Sequence, residues 1–258
     1  MLHLIDTHAH LYSDKFDNDR PEMIQRAKTA GVQRIYLPNI DSESIGPMLA
    51  LEASFSGYCF AMMGLHPTHV KADTYLAELA TVEHWLGQRP WAGIGETGID
   101  LYWDKETLPL QQESFARHCV WAKELRRPII IHSREANQQA MSIVHQHQDG
   151  RLRGIFHCFE GNLAEAQQMI DLGFALGIGG SITRPKSPLR EVIRQIPLEH
   201  LVLETDAPYL TPTPYKTQYR RNESAFLVAV AETLAELHQI PVEEVARITT
   251  ENALRLFA

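Results

Sequence analysis

The sequence predicts a (β/α)8 TIM barrel, a single domain over residues 1–258, with a metal site at the C-terminal ends of its strands. Three observations predict it. The length is close to that usual for such barrels. Eight short apolar runs alternate with helical patterns along the whole chain. Five of those runs end in metal-ligand side chains: His8 and His10 in IDTHAH, Glu96 in GIGETGID, His132 in IIIHSR, His157 in GIFHCF and Asp206 in LVLETDAP. A parallel barrel gathers all its strand ends on one rim. A doubly wound open sheet, the competing architecture, would spread them along a line.

The strand-like runs fall at 2–8, 33–40, 58–65, 92–96, 128–132, 154–159, 174–179 and 201–206. Most are continuously apolar, as strands covered on both faces are. Between them, 21–31 opens with Pro and closes with Gly, matching helix start and stop preferences. Residues 110–127 place Phe115, Cys119, Ala122 and Leu125 at helical spacing and stop at Pro128. Asn162 caps a helix over 162–173, prolines bound one over 188–197, and 222–257 reads as two or three helices.

A hydrophobic content of 44% is enough for a substantial core, and a net charge of −8 argues against a protein coated with nucleic acid. A local basic rim remains compatible with it. The three cysteines, Cys59, Cys119 and Cys158, form no CxxC pair and read as buried reduced thiols. The start of the chain lacks a basic region followed by an apolar run, and no stretch reaches the roughly 18 apolar residues of a membrane span. A soluble cytoplasmic protein with no membrane association and no obligate protein partner is expected.

His8 and His10, two apart on a strand, point to one face and can grip one ion. Asp6, one step earlier on that face, is a candidate partner for a ligand imidazole. Glu96 is flanked by glycines, and a carboxylate there can bridge two ions. A lone His at a strand end is more often a satisfied core residue. His132 and His157 at matching places on successive strands are harder to explain that way. Asp206 can bind metal and accept a proton from the attacking water, with Glu204 as a candidate to orient it. Four imidazoles and two carboxylates suit Zn²⁺ or Mn²⁺ and accommodate Mg²⁺ or Ni²⁺ with waters. A divalent ion lowers the pKa of water from 15.7 towards ~7, so hydrolysis is the expected reaction class.

Taken together, DTHAHL (6–11), GLHP (64–67), GETGID (95–100), IHSR (131–134), HCFEG (157–161), ETDAPYL (204–210), RNES (221–224) and NALRLF (252–257) resemble the TatD-type metal-dependent hydrolases, over the whole chain. The resemblance implies two divalent ions: His8, His10 and Asp206 on the first, His132 and His157 on the second, Glu96 bridging. It also implies phosphodiester hydrolysis, several members being deoxyribonucleases, so DNA or another phosphodiester is the expected partner. The fourth-strand motif departs from the usual G-E-[IC]-G-L-D at Thr97 and Ile99, which bears on packing under the site.

Arg134, two residues past His132, is the first candidate for phosphate contact. Arg184, Lys186, Arg220 and Arg221 are further ones. His66 in GLHP is expected to point into the site and hydrogen-bond a phosphate or leaving group. Tyr102 and Trp103 lie near the rim, as base-stacking aromatics or as lid residues. The other hydrolase reading is a small-molecule ester, lactone or amide, including an aminoacyl ester. A barrel that has lost its chemistry is disfavoured because all six ligands are present.

Overall fold

A computed structural model describes residues 2–258. Its eight strands are β1 (Leu4–Asp6), β2 (Val32–Pro38), β3 (Cys59–Met62), β4 (Ile94–Asp100), β5 (Ile129–Arg134), β6 (Gly154–Phe156), β7 (Phe174–Ile178) and β8 (Leu201–Leu203). The helices are α1 (Arg20–Thr29), α2 (Ile45–Ser54), α3 (Tyr75–Leu86), α4 (Leu108–Leu125), α5 (Asn137–His147), α6 (Leu163–Asp171), α7 (Leu189–Ile193), α8 (Thr213–Lys216), α9 (Leu227–His238) and α10 (Val242–Leu256). All strand pairings are parallel, in a three-stranded run β1-β2-β3 and a five-stranded run β4 to β8. Two seams close the ring. Met63, just beyond β3, bridges Ile94 at the start of β4, and Ala9 bridges Ala207 beyond the ends of β1 and β8. The predicted barrel is the observed fold.

Two apolar clusters account for the layering. The larger packs outward-facing strand residues such as Leu4, Ile35, Ile131 and Leu203 against Met23, Leu79, Phe115, Ala140, Met169 and Leu234 of the surrounding helices. The smaller takes Ile5, Tyr36, Met62, Ile130, Ile155 and Val202 from six strands and fills the barrel. Ala253 and Leu256 of α10 close its floor, where Phe257 stacks on Tyr36 at 3.6 Å. Ile130 and Ile155 stand two residues before His132 and His157. The same inward face therefore changes from apolar floor to polar rim along each strand.

Several boundaries differ from expectation. β4 runs on to Asp100 rather than ending at Glu96, because pairing with β5 resumes after a register shift between Ile94 and Thr97. Gly98 permits this close approach: its φ is +138°, and a Cβ there would meet the His132 carbonyl at 2.0 Å. The strand around 154–159 ends at Phe156 and the last one at Leu203, leaving His157 and Asp206 on the loops just beyond. The two or three helices expected over 222–257 are two, α9 and α10, and α9 begins only at Leu227. The delay is caused by the preceding RNES segment, each of whose side chains makes a tertiary contact. Arg221 pairs with Asp19, the Asn222 amide donates to the Thr205 carbonyl, Glu223 accepts from Arg26, and the Ser224 hydroxyl donates to Asp6. Among the described residues no single helix is long and apolar enough to cross a membrane.

Candidate metal centre

Every predicted ligand reaches one cleft of about 820 Å³ at the C-terminal rim or the wall beneath it. Glu96 is its centre. Its Oε2 lies 3.1 Å from His8 Nε2 and 3.3 Å from His10 Nε2. Its Oε1 lies 2.9 Å from His132 Nδ1, 3.2 Å from His157 Nε2 and 3.3 Å from His66 Nε2. Asp206 stands on the first side, its Oδ1 3.7 Å from His8 Nε2 and 3.5 Å from His10 Nε2. The two oxygens of one buried carboxylate thus divide the imidazoles into two groups.

Hydrogen bonds behind the rings decide what each presents. Tyr12 OH donates to the Pro38 carbonyl at 2.6 Å, so it accepts from His10 Nδ1 at 2.9 Å. The Glu204 carboxylate accepts from His157 Nδ1 at 3.1 Å, and the Asp100 carboxylate from His132 Nε2 at 2.9 Å. In the neutral tautomer, the remaining nitrogen of each ring turns a lone pair towards Glu96. That arrangement is repulsive unless positive charge lies between. Protonating all three rings would instead crowd cations together. A divalent ion resolves both, and carboxylate–histidine–metal relays are the usual way ligand rings are oriented. The buried Nδ1 of His8 and Oε2 of Glu204 have no hydrogen-bond partner, which leaves further donor capacity at the centre.

His66 differs. Its Nδ1 accepts from the Thr68 backbone N–H at 3.2 Å, so its Nε2 carries the proton and points it at Glu96. Proximity alone would group it with Glu96 and His132 as a metal ligand. The tautomer makes it a hydrogen-bond donor instead, and burial pushes its pKa down to about 4, keeping it neutral.

Burial pushes Glu96 up, but the imidazoles of His66, His8 and His157 outweigh it and hold the group well below the usual carboxylate range. Burial also raises Asp206, and His10 with His157 and His8 bring it down below its ordinary value. Both are ionised, the state that binding a metal would require. Cys158 is half-buried and lines the cleft, correcting the expectation of a buried thiol. Burial, then the Glu204 carboxylate, push it well above its usual range, so it remains an S–H rather than a thiolate.

Other expectations are redirected. Asp6 touches no ligand ring; it accepts from the Thr205 amide and hydroxyl and from Ser224, tying β1 to the loop that carries Asp206. Glu204 orients His157 rather than Asp206. Gly177 makes this possible, since a Cβ there would meet the Glu204 carboxylate at 2.2 Å. Thr97 is fully buried with an unpartnered hydroxyl. Arg134 and Arg184 line the cleft, whereas Lys186 and Arg220 do not. Arg221 is held by Asp19 over the Phe16 ring. Tyr12 and Asp100 were not singled out from sequence as ring-orienting groups. Tyr12 stands two residues past His10, and Asp100 lies within the GETGID motif.

A parallel barrel with clustered imidazoles and carboxylates at its C-terminal rim has the architecture and donor set of a metal-dependent hydrolase. Residues 5–258 match the family of TatD related DNases, and the chain belongs to that family. It is 38% identical to the uncharacterised metal-dependent hydrolase YabD of Bacillus subtilis, over 98% of both chains. It is 32% identical to the 3'-5' ssDNA/RNA exonuclease TatD of Erwinia amylovora, over 98% of this chain and 99% of that one. The crystal structure of YjjV, a TatD homologue from Escherichia coli, superposes with a TM-score of 0.89 at 33% identity, covering 98% of this chain and 97% of the other.

Proposed function

We propose that this protein is a phosphodiesterase of the deoxyribonuclease type that works with two divalent ions, Zn²⁺, Mn²⁺ or Mg²⁺. The observation that carries the reading is the division of imidazoles between the two oxygens of Glu96. It suits His8, His10 and Asp206 to one ion, His132 and His157 to a second, and Glu96 to both. The family match and the Erwinia relative, an exonuclease on single-stranded DNA and RNA, supply the substrate class.

Divalent ions held by these residues would lower the pKa of water towards ~7 and would neutralise charge on a phosphoryl group. The chain's own residues do the rest. Ionised Asp206 accepts the proton of the attacking water. Neutral His66 donates its Nε2–H to a phosphoryl or leaving oxygen. Arg134 and Arg184 on the rim receive the flanking phosphates.

The test reloads metal-stripped protein with Mg²⁺, Mn²⁺ or Zn²⁺ and assays single-stranded DNA, bis-p-nitrophenyl phosphate and a panel of lactones, esters and amides. Metal-dependent DNA cleavage is expected, and Asp206→Asn should lose roughly 10²–10⁴-fold in kcat with an unchanged melting temperature. Full activity in that variant would sink the assignment. The acidic side chains Glu135 and Glu160 also line the cleft, which favours small uncharged substrates as the second reading. Activity confined to the lactone, ester and amide panel would establish it.

A further inference from the structure

At the mouth of the cleft, Trp103 and Tyr102 are 67% and 49% exposed, unusual for rings of this size beside a buried polar centre. They meet edge to face, with centroids 4.9 Å apart at 90°. Arg134 lays its guanidinium 3.9 Å over the Tyr102 ring and 5.8 Å from that of Trp103. The platform is tied to the metal centre. Asp100 accepts the backbone N–H groups of Tyr102 and Trp103 through Oδ1 at 2.9 and 2.8 Å, and through Oδ2 it holds His132 at 2.9 Å. One carboxylate therefore sets both the aromatic pair and a candidate metal ligand.

We infer that Trp103 and Tyr102, with Arg134 stacked on the latter, form a stacking subsite for an unpaired nucleobase next to the phosphodiester being cleaved. This deepens the nuclease reading and rests on it. Trp103 presents an exposed aromatic face, and the guanidinium over the neighbouring Tyr102 ring places a cation beside it. A base offers it a π-face, and the adjoining phosphate offers the guanidinium an anion. A base inside a duplex already has both faces covered, so the subsite selects single strands. Rings serving only as an apolar lid would be expected to fold inwards over the cleft. These stand exposed, with a guanidinium against one of them.

The test compares a single-stranded DNA decamer with versions in which one abasic residue is walked inward from each end. In the wild type, one abasic position next to the cleaved bond should raise KM roughly 5- to 150-fold, the range for losing one stacked base. In Trp103→Ala that ratio should fall to about one, and Trp103→Phe, which keeps a ring, should restore much of it. Equal ratios in wild type and Trp103→Ala would overturn the subsite. Binding is read separately in metal-stripped Asp206→Asn. Of the four tryptophans Trp103 is the exposed one, so its emission should be quenched by the intact decamer and much less by the critical abasic one. Indifference of that emission to both would also overturn it. A wild type that cleaves no oligonucleotide overturns the nuclease reading, and the quenching arm still decides whether the platform takes a base.

Discussion

Single side chains here act mainly by fixing what a neighbour presents. Glu204 gives nothing directly to the face of Glu96, yet it holds the His157 ring with its Nε2 turned inward. Glu204→Gln keeps the shape and removes the charge. It should weaken metal binding by about 10–100-fold, measured by titration calorimetry on metal-stripped protein. Unchanged affinity would deny Glu204 its positioning role. His118 acts the same way at a distance. Its Nδ1–H donates to the Ser114 carbonyl and its Nε2 accepts from the Leu65 amide, pinning the segment that leads to His66. Burial lowers its pKa to about 4, so the folded protein resists protonating it while the unfolded chain, near 6.5, does not. Its contribution to stability is therefore intact above pH 6.5 and is lost as pH falls towards 4, by about 3 kcal/mol in all. Asp6, raised to about 7 by burial, runs the opposite way, costing stability as pH rises from 3.8. The comparison to make is denaturant unfolding of wild type and His118→Gln at pH 7 and pH 4.5. The variant should lose less stability on acidification, and parallel losses would refute the linkage.

Elements are bounded by local chemistry where it is strong and by tertiary contacts where it is not. The Asn162–Glu165 capping box starts α6 as the sequence indicates. By contrast α4 and α9 end on non-glycine residues in the left-handed region, Arg126 at φ 54° and Gln239 at φ 56°. Both side chains are exposed, so neither conformation is explained by packing. Replacing each with Gly should stabilise the fold by roughly 0.5–1 kcal/mol, the left-handed penalty less the added chain entropy of glycine. Thermal melts of Arg126→Gly and Gln239→Gly check this, and a drop in melting temperature would contradict it. The RNES segment shows the opposite case. Its residues suit a helix start, but four tertiary contacts hold it as a clasp between α1 and the loop carrying Asp206.

At the scale of the molecule, the charge distribution limits how a polyanion is held. The net charge is −8, and the cleft offers two arginines, Arg134 and Arg184, beside Glu135 and Glu160. Each phosphate contact contributes about −0.7 to the slope of log affinity against log salt for single strands, so two such contacts predict a slope near −1.4. KM for a single-stranded oligonucleotide measured between 50 and 200 mM salt should follow that shallow dependence. A slope of −4 or steeper would require cations beyond the cleft.

The barrel and the clustering of candidate ligands at its rim were legible because both are periodic. Buried parallel strands must be continuously apolar, and a ligand-type residue breaks that rule at the end of five of the eight runs. Partners that come from elsewhere in the chain were not legible. The sequence placed Asp6 and Glu204 beside the ligands, and only folding showed that Asp6 secures the β1–β8 seam while Glu204 crosses to His157. His66 could be read as a residue facing the site, but its role as donor depends on the proton forced onto Nε2 by Thr68. Arg221 and Arg134 look alike as basic residues near motifs; Asp19 captures one, and the Tyr102 ring leaves the other at the cleft. Strand periodicity is a property of neighbouring residues, so the sequence alone determined it. Hydrogen-bond partners and tautomers depend on distances between segments that only the closed barrel brings together.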